Sequence, residues 1–344
     1  MLGGGHKRNL KFEEIINLEN LFLAWKEFKQ GKSNKKDVQI FQYNLELEIM
    51  QLHQELITGN YKHGLYHTFY VNDPKRRHIH KAPVRDRIIH HAIVSILALI
   101  FERKFIFDSY SCRLRKGMHR ALERFQKFAW KLSRNNTKTV YILKCDIKKF
   151  FDNIDHQILK DILSKDIYDK RVMNLLEIVI DSFHKEKGRA LPLGNVTSQW
   201  FANIYLNELD QYVKRMLQVK DYYRYGDDFI LVDRSPQYLY DKLVHIKAFL
   251  GNNLKLELHP SKVKLLKYHN GVDFLGYVQF PHFRILRSKT QRRILKAVPA
   301  LKDKIGSLGF KSSFASYMGM AQHFASCRFI KKIIFSLFDD RFPT

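Results

Sequence analysis

The acidic residues that could do chemistry in this sequence stand in two short motifs. Tyr225-Gly226-Asp227-Asp228 lies between two runs of aromatic and β-branched residues, which predicts a hairpin with a tight turn. Asp146 ends an apolar run at 139–145 that predicts a buried strand. One Asp-rich turn is a common structural feature, but two such motifs on one sheet can hold two magnesium or manganese ions about 3.5–4 Å apart. The predicted chemistry is nucleotidyl transfer, in which the ions activate a 3′-hydroxyl, steady a triphosphate and stabilise pyrophosphate.

The apolar spacing predicts the elements that must position these motifs. Predicted helices are Phe12–Lys29, Asp37–Ile57, a buried helix over Ile88–Phe101, one ending near Leu132, His156–Ser164 with Asp155 as N-cap, Gln199–Leu217 and Gln237–Asn252. Predicted strands are His67–Val71, Arg77–His80, Leu254–Leu258 and Val272–Val278. From Arg287 onward the sequence is basic and is predicted to be helical.

Composition favours a folded protein that binds a polyanion. The 344 residues are 45% hydrophobic and carry a net charge of +26, which is more than solubility requires. A membrane-surface binder is the minor alternative. The most apolar segment, Ile88–Phe101, is too short to span a bilayer. The three cysteines are scattered, without disulfide or zinc spacing, so a reducing, cytoplasmic location is expected.

Two further segments have the composition of phosphate-binding surfaces. The basic run 75–81 falls on the predicted hairpin, where it could grip a triphosphate, although lysines on an edge strand also simply prevent aggregation. The loop 191–199 contains Gly194 and leads into a helix, whose N-terminus favours anions. This loop is predicted to lie under the template–nucleotide pair.

The order of these motifs, continued by Lys262 and by Phe274-Leu275-Gly276-Tyr277, resembles the palm of reverse transcriptases. Among these, the chain is most similar to bacterial group II intron-like enzymes and, within them, to those of diversity-generating retroelements. The Leu193-Gly194 and Ser198-Gln199 pairs are typical of the diversifying group, whereas intron enzymes usually have Gln-Gly and Ser-Pro. The sequence also ends after a thumb-like tail, so no maturase or endonuclease extension is expected. Gly226 is less usual for the diversifying group than a larger residue.

The resemblance implies an α+β right-hand polymerase with fingers, palm and a helical thumb. It divides the chain into N-terminal helices and fingers at 1–135, a palm with interleaved fingers at 136–285 and a thumb at 286–344. It also implies the site residues. The catalytic residues would be Asp146, Asp227, Asp228 and Lys262, and the metal would be held by the three aspartates and Ile147. The nucleotide would be bound by Phe151, Arg77, Lys81, Leu193, Gly194 and Gln199. The primer grip would be formed by Leu275, Gly276 and Tyr277.

Two of these positions are expected to set substrate choice. The ring of Phe151 would close the space that a ribose 2′-hydroxyl needs, so deoxynucleotides are favoured over ribonucleotides. Leu193 replaces an amide side chain that would check the base pair, so error-prone copying of template adenines is expected.

The resemblance implies two Mg²⁺ ions, with Mn²⁺ as the alternative, and implies dNTPs, a template-repeat RNA and its RNA–cDNA duplex as substrates. It also implies a small basic accessory protein (an accessory variability determinant), an oligomeric assembly and no membrane partner. Two alternatives stay open. One is an intron-like or phage-defence reverse transcriptase without the diversifying role, and the other is a non-catalytic RNA-binding scaffold that keeps a palm.

Overall fold

The computed structural model describes residues 10–72, 75–298, 301, 307–324 and 327–338. The described chain combines helices with antiparallel sheets, so the predicted α+β class is confirmed. It forms two compact units that alternate along the sequence. The helical unit comprises Met1–Arg113, Ile147–Gln218 and Val244–His259, and the sheet unit comprises Leu114–Asp146, Val219–Leu243 and Pro260–Thr344. The division at residues 135 and 285 remains a prediction.

The helical unit is organised around one long helix. Its helices are α1 (Phe12–Ile16), α2 (Leu18–Lys29), α3 (Lys36–Tyr43), α4 (Leu45–Ile57), α5 (Val84–Lys104), α7 (Phe150–Asn153), α8 (His156–Ser164), α9 (Lys170–Asp181) and α10 (Val196–Gln211). Helix α5 packs against α2 and α10 and buries Ile88, Ile89, Ile93 and Leu97 completely. It therefore contains the apolar run that the sequence predicts as a buried helix. None of the described helices has the length and hydropathy that a bilayer crossing requires.

Two predicted N-terminal helices are each broken in two by an asparagine. Asn17 is extended, with a ψ of 149°, and its side chain accepts a hydrogen bond from the Asn20 backbone N–H at 2.8 Å, so it caps α2. Asn44 separates α3 from α4 with a φ of -110° and a ψ of 26°, and its side chain makes no capping hydrogen bond. The continuous helices predicted at Phe12–Lys29 and Asp37–Ile57 are therefore wrong at one residue each.

The basic run lies on a hairpin, as predicted. Strand β1 (His67–Val71) pairs antiparallel with β2 (Arg77–Lys81), and Arg77 stands opposite Val71. The turn predicted at 72–74 includes residues 73 and 74, which lie outside the described residues. All five residues of β1 are exposed.

The sheet unit contains a four-stranded and a three-stranded antiparallel sheet. In the first, β3 (Tyr141–Asp146), β4 (Tyr222–Tyr225), β5 (Asp228–Asp233) and β6 (Lys264–Lys267) lie in the order β4-β5-β3-β6. In the second, β7 (Val272–Phe274), β8 (Tyr277–Gln279) and β9 (Arg284–Leu286) follow chain order. The helices are α6 (Met118–Leu132), α12 (Ser288–Ala297), α13 (Leu308–Ala321) and α14 (Cys327–Phe338), while α11 (Pro236–Leu254) begins in this unit and ends in the helical unit.

Two predicted strands are wrong in instructive ways. The strand predicted at 254–258 is absent, because α11 continues to Leu254 and Lys255 then takes a left-handed φ of 50° that ends it. The strand predicted at 272–278 is instead the β7–β8 hairpin. Its turn is formed by Leu275 and Gly276, both at positive φ. The helix predicted to begin at Gln199 begins three residues earlier in the structure, at Val196. A π-helical turn follows this helix, from Tyr212 to Met216.

Phe125 of α6 is the centre of an aromatic cluster in the sheet unit. Its ring meets those of Tyr268, Phe274 and Tyr223 edge to face, with centroids 5.7, 6.2 and 6.3 Å away. Phe125 is completely buried. The cluster therefore joins α6 to strand β4 and to strand β7 through one side chain.

Replacing Phe125 with alanine should lower the free energy of unfolding by about 3–5 kcal/mol, because a large buried ring leaves a cavity. Urea denaturation followed by tryptophan fluorescence measures this loss. The matched control is Phe128→Ala on the same helix, where the ring is partly exposed, and it should cost clearly less. Equal losses for the two variants would mean that Phe125 does not organise this core.

Candidate active site

The sheet register brings the two acidic motifs together. Strands β3 and β5 are antiparallel, and Asp146 pairs directly with Asp228. Directly opposed residues of antiparallel strands point to the same face of the sheet and have Cβ atoms about 4.5–5.5 Å apart. Asp227 precedes this pair in the turn that joins β4 to β5. Three carboxylates from two distant segments therefore lie at one end of the sheet.

The carboxylates disturb each other electrostatically. The pKa of Asp228 is raised to about 6, chiefly because burial disfavours its charged form. The positive charge of Lys144 opposes this rise, whereas the charges of Asp227 and Asp146 add to it, as does a hydrogen bond between the Asp228 and Asp146 side chains. Such opposed like charges are destabilising in a sheet. Their presence on a partly buried face is typical of a site that binds a cation.

One cation of the protein itself already contacts the site. The Nζ atom of Lys262 donates to Oδ1 of Asp146 at 2.7 Å and forms an ion pair with it. Lys262 ends a short 3₁₀ turn, Pro260–Lys262, that leads into β6, the strand beside β3. Lys262, for which the resemblance implies a catalytic role, thus contacts the predicted metal ligand Asp146.

The donor set fits a hard divalent ion. It consists of carboxylate oxygens alone, which suit Mg²⁺ or Mn²⁺ better than softer metals. No group of three or more His, Cys, Asp or Glu side chains among the described residues is arranged to hold a metal ion. An open carboxylate site of this kind leaves coordination positions for substrate phosphates.

Arg224 was not among the site residues predicted from the sequence, and it stabilises the turn of the β4–β5 hairpin that carries Asp227. Its side chain is fully buried, and one guanidinium nitrogen donates to the carbonyl oxygen of Gly226 at 3.1 Å. Gly226 has a φ of 62°, a left-handed conformation that glycine adopts most readily. A charged residue within an aromatic strand was the available sequence signal.

In the helical unit, the predicted nucleotide-binding loop is fastened to strand β2. The His80 backbone N–H donates to the Leu193 carbonyl oxygen at 2.8 Å. The Asn195 side chain accepts from the Ala82 N–H at 3.2 Å and donates to the His80 carbonyl oxygen at 2.8 Å. The loop and the hairpin are therefore one structure.

Gly194 is required by this close approach. Its φ is 113°, and a Cβ atom placed there would lie only 2.7 Å from Cγ2 of Ile79. Gln199 lies four residues into α10 and is exposed. Leu193 is partly exposed.

The two predicted triphosphate contacts on the hairpin differ in their surroundings. Arg77 is exposed. Lys81 instead forms an ion pair with Asp37, with 2.7 Å between Nζ and Oδ2. Asp37 also accepts a hydrogen bond from Arg87 at 2.7 Å.

Phe151 and Ile147 lie on the segment that follows Asp146. Ile147 is buried and bridges to Leu258, while the Phe151 carbonyl oxygen accepts from the Leu191 N–H at 2.8 Å. The Phe151 ring packs edge to face on Phe150, with centroids 5.5 Å apart. The backbone hydrogen bond from Leu191 thus connects the predicted steric gate, Phe151, to the start of the 191–199 loop. Asp155 caps α8 by accepting from the Ile158 N–H at 3.1 Å, which confirms its predicted structural role.

The predicted primer-grip residues form the turn and second strand of the β7–β8 hairpin. Leu275 and Gly276 have φ values of 51° and 85°. The Arg287 backbone N–H donates to the Gly276 carbonyl oxygen at 3.1 Å, and the Tyr277 side chain is buried. The turn is thereby held in a conformation that is costly for a leucine.

Comparison with known proteins places these motifs in a family. The family model described as reverse transcriptase (RNA-dependent DNA polymerase) matches residues 71–279. Protein YkfC of Escherichia coli K12 is 25% identical over 308 residues, covering 77% of this chain and 79% of YkfC. Group II intron-encoded protein LtrA of Lactococcus lactis is 24% identical over 322 residues, covering 72% of this chain. The chain spans about half the length of LtrA, 51%. Among solved structures, a truncated apo telomerase from Candida tropicalis overlaps 65% of this chain and 55% of its own, with a TM-score of 0.48 and 14% identity.

The raised pKa of Asp228 predicts a stability that depends on pH. Because the pKa is higher in the folded protein than its ordinary value of 3.8, this group favours folding at low pH, and that contribution is lost as the pH rises through about 6. Without metal, Asp228→Asn should therefore be more stable than the wild type at pH 8 by about 1–3 kcal/mol, and the difference should vanish near pH 4. Urea denaturation in EDTA at both pH values measures it.

The control for this prediction is Asp241→Asn, which removes an exposed carboxylate and should show no such trend. Adding Mg²⁺ at pH 8 should stabilise the wild type and not Asp228→Asn, because a ligand that binds only the folded state raises its stability. A wild type that is equally stable with and without Mg²⁺ would argue against a metal site here.

Proposed function

Because the chain belongs to the reverse transcriptase family of RNA-dependent DNA polymerases, we propose that it synthesises cDNA on an RNA template at the Asp146–Asp228 pair, with two Mg²⁺ ions. The observation that carries this proposal is the direct pairing of Asp146 with Asp228, with Asp227 in the adjoining turn. The ions, when bound, would activate the primer 3′-hydroxyl and stabilise the leaving pyrophosphate.

The chain's own residues supply the rest of the reaction. Asp146, Asp227 and Asp228 hold the ions, with the Ile147 backbone as a further contact. Lys262, whose ammonium lies 2.7 Å from Asp146, delivers a proton to the pyrophosphate. Of the fingers residues, the exposed Arg77 is the better candidate for the triphosphate, since Lys81 must first leave Asp37.

Substrate selection depends on Phe151 and on the 191–199 loop, which is hydrogen-bonded to β2. Phe151 excludes a ribose 2′-hydroxyl, so the product is DNA. Leu193 and Gly194 lie under the nascent base pair, with Gln199 close by on α10. The primer end is held by Leu275, Gly276 and Tyr277. The Leu193 side chain offers no hydrogen bond to a substrate, and a site without polar contacts discriminates weakly between similar substrates.

We further propose that the enzyme diversifies its product. Leu193-Gly194 and Ser198-Gln199 support this assignment, in which template-repeat RNA is copied with errors at adenines and the cDNA is written into a target gene. The partners are the template RNA, the RNA–cDNA duplex, dNTPs and a small basic accessory protein in an oligomeric assembly. The three scattered cysteines, which lack disulfide spacing, support a location in the reducing cytoplasm of a bacterium.

A second candidate role is that of a group II intron-type enzyme of higher fidelity. The similarity to LtrA, a group II intron-encoded protein, favours it. A non-catalytic RNA-binding scaffold is disfavoured, because opposed carboxylates would repel the phosphates that such a scaffold binds.

The polymerase assignment predicts that the chain extends a DNA primer on an RNA template with dNTPs and Mg²⁺. Asp227→Asn should reduce the extension rate by about 10³-fold or more, because the variant loses a ligand of the ions that would stabilise the transition state. A denaturing-gel extension assay measures the rate, with exposed Asp241→Asn as the control. An Asp227→Asn protein of normal activity would refute the site.

The diversifying assignment predicts misincorporation concentrated opposite template adenine. Leu193→Gln restores an amide and should reduce these errors by about tenfold, since one hydrogen bond is worth roughly 1.4 kcal/mol in discrimination. Sequencing of cDNA made on a defined RNA measures the errors. Leu193→Met keeps an apolar side chain and should retain the wild-type pattern, whereas a uniform low error rate in the wild type would favour the intron-type role.

A further inference from the structure

Lys144 lies on the same face of the sheet as the carboxylates. It precedes Asp146 by two residues in β3, and residues two apart in a strand point to the same side. In the register it lies between Ile230 of β5 and Lys264 of β6. Lys144 is only partly exposed, whereas Lys264 is exposed.

The ammonium of Lys144 contacts the other sheet of the same unit. Its Nζ atom donates to the carbonyl oxygen of Asp273 at 2.7 Å, across 129 positions of sequence. Asp273 is the central residue of β7 and comes two residues before the turn formed by Leu275 and Gly276. A hydrogen bond from an ionised donor is shorter and stronger than a neutral one.

Arg287 also holds this hairpin. The Asp273 carboxylate forms an ion pair with Arg287, whose Nε lies 2.9 Å from Oδ1. The Arg287 backbone N–H in turn donates to the Gly276 carbonyl oxygen at 3.1 Å. Residue 273 and the turn at residue 276 are therefore connected to each other through Arg287, and to the carboxylate strand through Lys144.

From these contacts we propose that Lys144 is a positioning residue, which fixes the distance between the primer-grip hairpin and the strand that carries Asp146. The inference rests on the proposed function, because it assigns to Lys144 the spacing between the primer 3′-hydroxyl and the catalytic carboxylates. Displacement of reacting groups by about 1 Å can cost about 100-fold in rate. A tether at this position therefore acts on the chemical step more than on duplex affinity.

The plainer interpretation is that Lys144 only satisfies a backbone carbonyl group. Under that interpretation its loss would lower stability and leave the rate of the chemical step in the folded protein unchanged. The two interpretations thus differ in a kinetic quantity and not only in stability.

The test uses the full chain with a DNA primer annealed to an RNA template. Rapid-quench addition of one dNTP gives the maximal rate, and fluorescence anisotropy gives the dissociation constant of the duplex. Lys144→Met should lower the maximal rate about tenfold or more while changing the dissociation constant less than about threefold. Lys144→Arg keeps a cationic donor and should restore the rate to within about threefold of the wild type.

The matched control is Lys264→Met, which removes one positive charge from the opposing position on the same face. It should keep the wild-type rate, because its side chain is exposed. If Lys144→Met melts too early to assay, Lys144→Gln replaces it. A rate reduced about fivefold or more supports the tether, and a wild-type rate overturns it.

Equal losses in Lys144→Met and Lys264→Met would also overturn the proposal, since they would reflect overall charge. So would a Lys144→Met protein with the wild-type rate, or a Lys144→Arg protein as slow as Lys144→Met. A wild-type protein that extends no primer would instead refute the proposed function.

Discussion

The repulsion between Asp146 and Asp228 is the constraint on which the rest of the site depends. A β-sheet would ordinarily avoid opposing two carboxylates in adjacent strands, because neither can be fully solvated on a partly buried face. Here the pairing is enforced by the apolar residues behind it. Leu143, Phe229 and Leu231 are buried, and together they hold β3 and β5 in register. The hydrophobic core thus stabilises an arrangement that the charges alone would separate.

The cations near the site moderate this repulsion without abolishing it. Lys262 pairs with Asp146, and the charge of Lys144 acts on Asp228. Lys144 lies on β3, the strand that ends at Asp146, and Lys262 lies in the turn that leads into the neighbouring strand β6. Compensation and repulsion are therefore built on one sheet. An excess of negative charge remains, and it is the feature that would attract a divalent ion to a protein that is otherwise strongly basic.

The strongest sequence patterns predicted the structure well. The His67–Val71 strand and the His156–Ser164 helix with its Asp155 cap lie where the pattern placed them, because local periodicity and capping determine such elements. The breaks at Asn17 and Asn44 were not predicted, because the apolar spacing continues across both residues and does not show where a helix is interrupted. The turn at Leu275 was missed because leucine rarely adopts a positive φ.

The site could be predicted only in part for a similar reason. Asp146, Asp227 and Asp228 follow from strand patterns, yet their direct pairing depends on a register that spans more than 80 residues. Arg224 and Lys144 were not identified from the sequence, because a lysine or arginine in a strand is normally a solvated side chain. Only the fold shows that one is fully buried and that the other reaches the carbonyl group of residue 273.

The alternation of the two units along the chain has a consequence for biosynthesis. The helical unit needs residues up to 259, and the sheet unit needs segments that begin at 114 and continue beyond 260. Neither core can be completed until residues well beyond the middle of the chain have been synthesised, so many long-range contacts must form late. A single cleavage cannot release either unit intact, and an expressible fragment would have to rejoin three separate pieces of chain.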